Sequence, residues 1–170
     1  MADEYVSQEN PAMRNYVLEL FVGIQIGSGA YRRVYECKRE KDKVVKVEHT
    51  GRDFCNIQEW QVWQEVKDTP ISHWFAPCHE IDCMGAVLLQ SRTKPFDHKD
   101  EFEKEVAKLP GGKLPGFFDD IHYGNFGMLN GRIVCHDYGF NHFLKHGVEK
   151  NWRKEQQREA RRKPTKKKDA

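Results

Sequence analysis

Five residues of this 170-residue chain, Lys46, Glu59, Asp120, Asn125 and Asp137, are of the types that phosphate chemistry calls on. Phosphoryl transfer asks little covalent help of a protein. The phosphates must be gripped, their charge neutralised by metal, and the acceptor oxygen aimed in line. Gly27-Ser28-Gly29, with Val34 after it, would let backbone N–H groups approach a phosphate where a side chain would collide. A plain hairpin turn gives the same glycine pattern. Lys46 stands in Val44-Val45-Lys46-Val47, among apolar neighbours, where a structural lysine would seek a solvated face; it suits contact with α and β phosphates. Such a lysine needs an anion to hold it. Glu59 is the first choice and Glu65, on the same predicted helix, the second; an exposed ion pair of little energetic worth is the bland alternative.

The sharper cluster is Asp120-Ile121-His122-Tyr123-Gly124-Asn125, followed by Asp137-Tyr138-Gly139. Here the chain resembles the protein-kinase-like superfamily, whose catalytic loop has the form D-x-x-x-x-N and whose metal-binding motif is D-x-G. The resemblance implies an α+β, protein-kinase-like fold: a small antiparallel-sheet lobe plus a reduced helical lobe with a β-hairpin. By the same resemblance Asp120 is the catalytic base, with Lys46 and Glu59 as the catalytic pair, and Asn125 and Asp137 hold Mg2+. Gly27, Gly29, Val34, Lys46 and Gln90 are the implied ATP-binding residues. The implied function is an ATP-dependent kinase that transfers the γ-phosphate to a hydroxyl of a protein Ser/Thr or of a small molecule. The alternative is a pseudokinase-like binding module that engages and regulates a partner protein. Taken singly, Asp119, Asp120 and Asp137 also suit turn capping.

The resemblance covers roughly residues 16–143 and describes a minimal, C-terminally truncated member of viral or bacterial type. No A-P-E-like motif follows Asp137-Tyr138-Gly139, so a docking surface for a protein substrate is not expected. Arg32 stands where the third glycine of G-x-G-x-x-G belongs, its guanidinium expected either on phosphate or in water. His122 takes the place of the lysine common in Ser/Thr protein kinases, a pattern closer to the aminoglycoside and choline kinases. His136 is expected to point out of the cleft.

The elements that must position these residues follow from local pattern. Tyr16–Ile26, Arg33–Lys38 and Lys43–Glu48 read as strands of an antiparallel meander, and Asp53–Lys67 as an amphipathic helix built on Ile57, Trp60, Val62 and Trp63, with Glu59 on a neighbouring face. Short strands are expected around Cys78–Cys83 and Gly85–Gln90, and a helix over His98–Leu109 that Pro110-Gly111-Gly112 stops. Asn130-Gly131 between Phe126–Leu129 and Arg132–Asp137 predicts a type I′ hairpin. The organisation is then a lead-in over 1–14, a small-lobe unit over 15–92, a reduced large-lobe unit over 93–146, and a basic tail over 147–170.

Composition sets the class. With 38% hydrophobic and 32% charged residues the chain can bury a core, and it has no apolar run of membrane-spanning length. A cytoplasmic protein is expected, in the host cytoplasm if viral. The five cysteines are odd in number and form no C-x-x-C pair, which fits free thiols; Cys78, His79 and Cys83 lack zinc-site spacing. The net charge of +2 conceals eleven Lys/Arg against four Asp/Glu over residues 144–170. That tail could contact nucleic acid or an acidic protein, or simply be solvated, with Trp152 its sole aromatic.

Overall fold

The structure, a computed structural model, describes residues 20–49 and 54–139. The lead-in, the start of the first expected strand, Asp53 and the basic tail with Trp152 lie outside the described residues. Within them the fold is α+β, two helices beside two antiparallel sheets.

The larger sheet has five strands: β1 (Val22–Ser28), β2 (Arg32–Cys37), β3 (Lys43–Glu48), β4 (Cys78–Ile81) and β5 (Val87–Ser91), in the order β1-β2-β3-β5-β4. Each short loop returns the chain antiparallel to its neighbour, and Gly29 N–H donates to Arg32 O at 2.9 Å to close the first turn. Lys46 lies opposite Val34 on one side and Leu88 on the other. Because pleated side chains alternate, Arg32, Val34 and Lys46 project from the same face.

Helix α1 (Cys55–Val66) crosses that sheet against β3, β5 and β4. Its start is entered through Phe54 at φ +49° and capped from outside, with the Glu48 carboxylate at the end of β3 accepting from Asn56 N–H at 2.5 Å. The helix falls where its apolar spacing places it, but its buried stripe is different. Cys55, Asn56, Glu59, Val62 and Val66 face inward, while Ile57, Trp60 and Trp63 are half-buried, so Glu59 is on the core face itself rather than beside it.

The second sheet, β6 (Lys94–Pro95), β7 (Phe126–Leu129) and β8 (Arg132–Cys135), follows directly from β5. Asn130 and Gly131 have φ of +50° and +76°, the double left-handed turn that the Asn-Gly pair predicted. Helix α2 (Lys99–Ala107) stands between β6 and β7 in the chain. The space around it is filled by aromatic rings: Phe75 packs on Phe117, Phe118 and Tyr138, Phe118 on Phe126, and Phe102 on both Phe96 and Phe126. The segment after α1 is stitched to β8 by Ala76 N–H donating to Cys135 O at 2.8 Å, which brings the end of the described chain back under α1.

No helix among the described residues is long and apolar enough to cross a membrane. All five cysteines are free thiols, Cys83 exposed and the others buried.

Candidate functional site

Lys46 Nζ donates to Glu59 Oε1 at 2.6 Å, and the two residues are 3% and 0% exposed. Burying an ion pair is costly unless its remaining donors and acceptors are satisfied. Here they are. Oε1 also accepts from Gln90 Nε2 at 2.9 Å, while Oε2 accepts from Arg32 at 2.6 Å and from the Tyr138 backbone N–H at 3.2 Å. Four donors meet the roughly four acceptor positions of a carboxylate. Lys46 donates further to the backbone carbonyl of His136. Of the two acids considered on α1, Glu59 is therefore the anchor, and Glu65 is exposed to solvent.

Arg32 does not point to water. It is 6% exposed and reaches inward from β2: Nη1 to Asn56 Oδ1 at 3.2 Å, Nη2 to Glu59 Oε2 and also to Asp137 Oδ1 at 2.5 Å. The available signal was position, since Arg32 precedes Val34 by two residues and shares its face. Asn56, which no sequence pattern marked, is fully buried; its Nδ2 donates to Lys46 O at 3.2 Å and Ala86 O at 3.1 Å, which turns Oδ1 toward Arg32. Two cations and two carboxylates thus share one cluster. Burial opposes the charges on both Arg32 and Asp137. Glu59 and Asp137 overcome it for Arg32, raising its pKa, and Arg32 then Lys46 overcome it for Asp137, whose pKa is lowered below the ordinary carboxylate value.

The second cluster is joined through Asn125. Tyr123–Asn125 form a single 3-10 turn, with His122 Nδ1 accepting from Gly124 N–H at 3.1 Å. Asn125 Nδ2 donates to Asp120 Oδ2 at 2.9 Å and to Asp120 O at 3.2 Å, and Asn125 O accepts from the backbone N–H groups of His136 and Asp137. Asp120 is exposed, and Asp137 keeps 47% of its side-chain surface open. The His136 ring is held between two segments. Its Nε2 donates to Gly124 O at 2.9 Å, so Nδ1 is left to accept from Thr93 Oγ1 at 2.8 Å. Burial, then the nearby Lys46 charge, push its pKa down to about 4.

Gly27 and Gly29 have no left-handed backbone, and a Cβ at either would meet its nearest neighbour at 3.4 and 3.7 Å, near or within ordinary contact. The hairpin itself therefore makes little demand for glycine at these two positions. Gly139 is the opposite case, where a Cβ would lie 2.6 Å from Cys55 O at the start of α1. Gln90, expected on the nucleotide, is fully buried against Glu59, with its Oε1 lacking a hydrogen-bond partner.

The expected magnesium ligands, Asn125 and Asp137, come together through their backbones, and each side chain has one atom engaged while Asn125 Oδ1 and Asp137 Oδ2 are outside those bonds. One Asp137 oxygen is on the Arg32 guanidinium, and the Asn125 amide nitrogen is on Asp120. A dication on Asp137 would lie beside a buried like charge. The Arg32 guanidinium on Asp137 therefore opposes a divalent metal there by charge. Among the described residues no group of three or more His, Cys, Asp or Glu could hold one either, the region of Cys78, His79 and Cys83 included. No protein-family model and no curated protein matches the chain.

Proposed function

We propose that this chain is a nucleotide-binding protein of kinase-like fold that takes ATP with its phosphates beneath Gly27–Gly29 and against Lys46. One observation carries the reading: Lys46 on the third strand, Glu59 on the following helix and Asp137 at the end of the hairpin meet in a single hydrogen-bonded cluster. Apolar residues would fill the same space at lower cost, so a buried cluster of four charges that keeps one acid open supports a functional reading over a purely structural one. The glycines that the hairpin does not require support the same reading.

Transfer of the γ-phosphate to a hydroxyl is supported by Asp120, which is exposed while Asn125 holds one of its oxygens, leaving the other for the acceptor. In that step the acceptor O–P bond forms as the bond to the departing diphosphate oxygen breaks, and the hydroxyl proton passes to Asp120. The pseudokinase-like alternative, a fold that binds a partner protein without transfer, is supported by the engagement of Asp137 with Arg32.

The test is ATP binding followed by melting temperature and by calorimetry, together with transfer of label from γ-labelled ATP to protein and small-molecule hydroxyl acceptors. ATP is expected to raise the melting temperature of the wild type and not of Lys46→Met. Loss of transfer in Asp120→Asn with ATP binding intact supports the kinase; binding without transfer supports the alternative. A melting temperature indifferent to ATP, with and without magnesium, ends the nucleotide and kinase reading and leaves the partner-binding alternative.

A further inference from the structure

We infer that Arg32 is a built-in counter-cation: its guanidinium fills, beside Asp137, the place of a divalent metal, so that this site binds a nucleoside polyphosphate without one. The inference rests on the nucleotide reading for its ligand but on Arg32 alone for its geometry. Arg32 enters from the strand that follows the glycine turn, on the face that carries Lys46, and bridges Glu59 Oε2 and Asp137 Oδ1 with one nitrogen. Its orientation is fixed by a third residue. Asn56 spends its amide nitrogen on two backbone carbonyls and presents its oxygen to Nη1, so the planar fork is held from behind as well as in front.

Charge makes the same point. Lys46 and Arg32 balance Glu59 and Asp137 within a cluster that, Asp137 apart, is almost wholly removed from solvent. A metal added at Asp137 would bring two further positive charges against a guanidinium that cannot deprotonate and has no solvated position to which its buried contacts direct it. A phosphate arriving at the open side of Asp137 meets a carboxylate whose charge Arg32 already offsets. The bonds to Asn56, Glu59 and Asp137 take three of the five N–H donors of the guanidinium. Planar, forked donors are well matched to phosphate oxygens.

Two measurements on the full chain decide it. In the first, Mn2+ is titrated without nucleotide and free Mn2+ is followed by electron paramagnetic resonance. The wild type is expected to bind no stoichiometric Mn2+, Arg32→Gly to gain one site, and the Arg32→Gly/Asp137→Asn double variant to lose it. In the second, ATP affinity is measured by calorimetry in EDTA and in Mg2+. The wild type is expected to give nearly the same value in both, and Arg32→Gly to depend on metal by on the order of tenfold or more. Stoichiometric Mn2+ on the wild type, or a wild-type ATP affinity that falls by about tenfold in EDTA, overturns the inference. If Arg32→Gly is unfolded by circular dichroism, these two wild-type values still decide. If ATP binds in neither condition the nucleotide reading fails, and the Mn2+ titration separately decides whether Arg32 excludes metal from Asp137.

Discussion

Arg32 Nη2 and Lys46 Nζ lie on different oxygens of one carboxylate, Glu59, each at 2.6 Å, although they come from neighbouring strands and Glu59 from the helix that crosses them. The acid is therefore the point at which β2, β3 and α1 are tied, and Tyr138 N–H and Gln90 Nε2 tie the hairpin end and β5 to it as well. Glu59→Ala leaves two buried cations with one carboxylate between them. Unfolding by urea should show a loss of about 3–5 kcal/mol, the cost of stranding a buried charge. Glu65→Ala, on the exposed side of the same helix, should stay within about 0.5 kcal/mol. Equal losses for the two would remove Glu59 from its central place.

Lys46→Met should cost less than Glu59→Ala, about 1–2 kcal/mol, because Arg32 still pairs with Glu59, the second carboxylate, Asp137, is open to water, and methionine fills much of the lysine's space. The same variant should abolish the melting-temperature rise with ATP. Stability and binding then separate: a stable Lys46→Met that binds ATP as the wild type does would take the lysine out of the site.

The strands and the hairpin were legible in the sequence because their signals are local. Lys43–Glu48 and the Asn130-Gly131 turn are set by alternation and by backbone freedom, which neighbouring residues alone determine. The order Lys46, Glu59, Asp120, Asn125, Asp137 was legible for another reason, the resemblance of the second cluster. What stayed hidden depends on residues distant in sequence. Glu59 and Asn56 occupy the buried stripe of α1, where hydrophobic periodicity looks for apolar residues, and Arg32 turns inward to partners distant in sequence, Asn56, Glu59 and, 105 residues away, Asp137. The two-residue strand β6 is too short to leave a pattern. Leu114, Phe117 and Phe118 form a buried plug in a segment that carries no helix or strand period, so they could not be told from a loop.

The glycines should divide by cause. Gly139→Ala drives a Cβ into the Cys55 carbonyl at the start of α1, and backbone cannot move aside cheaply; a loss of about 1–3 kcal/mol is expected. Gly29→Ala has no such neighbour and no positive φ, so its stability should match the wild type within about 0.5 kcal/mol while its affinity for ATP falls. Unchanged affinity in a stable Gly29→Ala would return the glycine turn to a plain hairpin.

Tyr138 carries a hydroxyl that donates to Ala76 O at 2.8 Å and lies 3.1 Å from Cys78 Sγ, in a site with no exposure. The same burial pushes the Cys78 thiol up to about 12, so the thiol stays protonated at neutral pH. Tyr138→Phe keeps the ring against Phe75 and removes only the oxygen, leaving the Ala76 carbonyl with a 3.5 Å approach from Gln90. The expected loss is about 1 kcal/mol by urea unfolding. A stability gain would mean that the hydroxyl is tolerated in the core rather than used there.

His136 makes stability fall with acid. Its folded pKa is about 4 against an ordinary 6.5, so between these values the unfolded chain binds a proton that the folded chain does not. The stabilisation is complete above about pH 6.5 and is lost as pH drops toward 4, at up to about 1.4 kcal/mol per pH unit. His79, whose pKa burial also lowers, acts in the same direction, and Asp137, held below its ordinary 3.8, adds its loss at still lower pH. Urea unfolding at pH 7.5 and pH 5 should therefore show a shallower pH dependence for His136→Gln than for the wild type. The glutamine retains a donor for Gly124 O but no titrating ring. Identical slopes for the two proteins would show that the bridge from Thr93 to Gly124 does not hold the imidazole neutral.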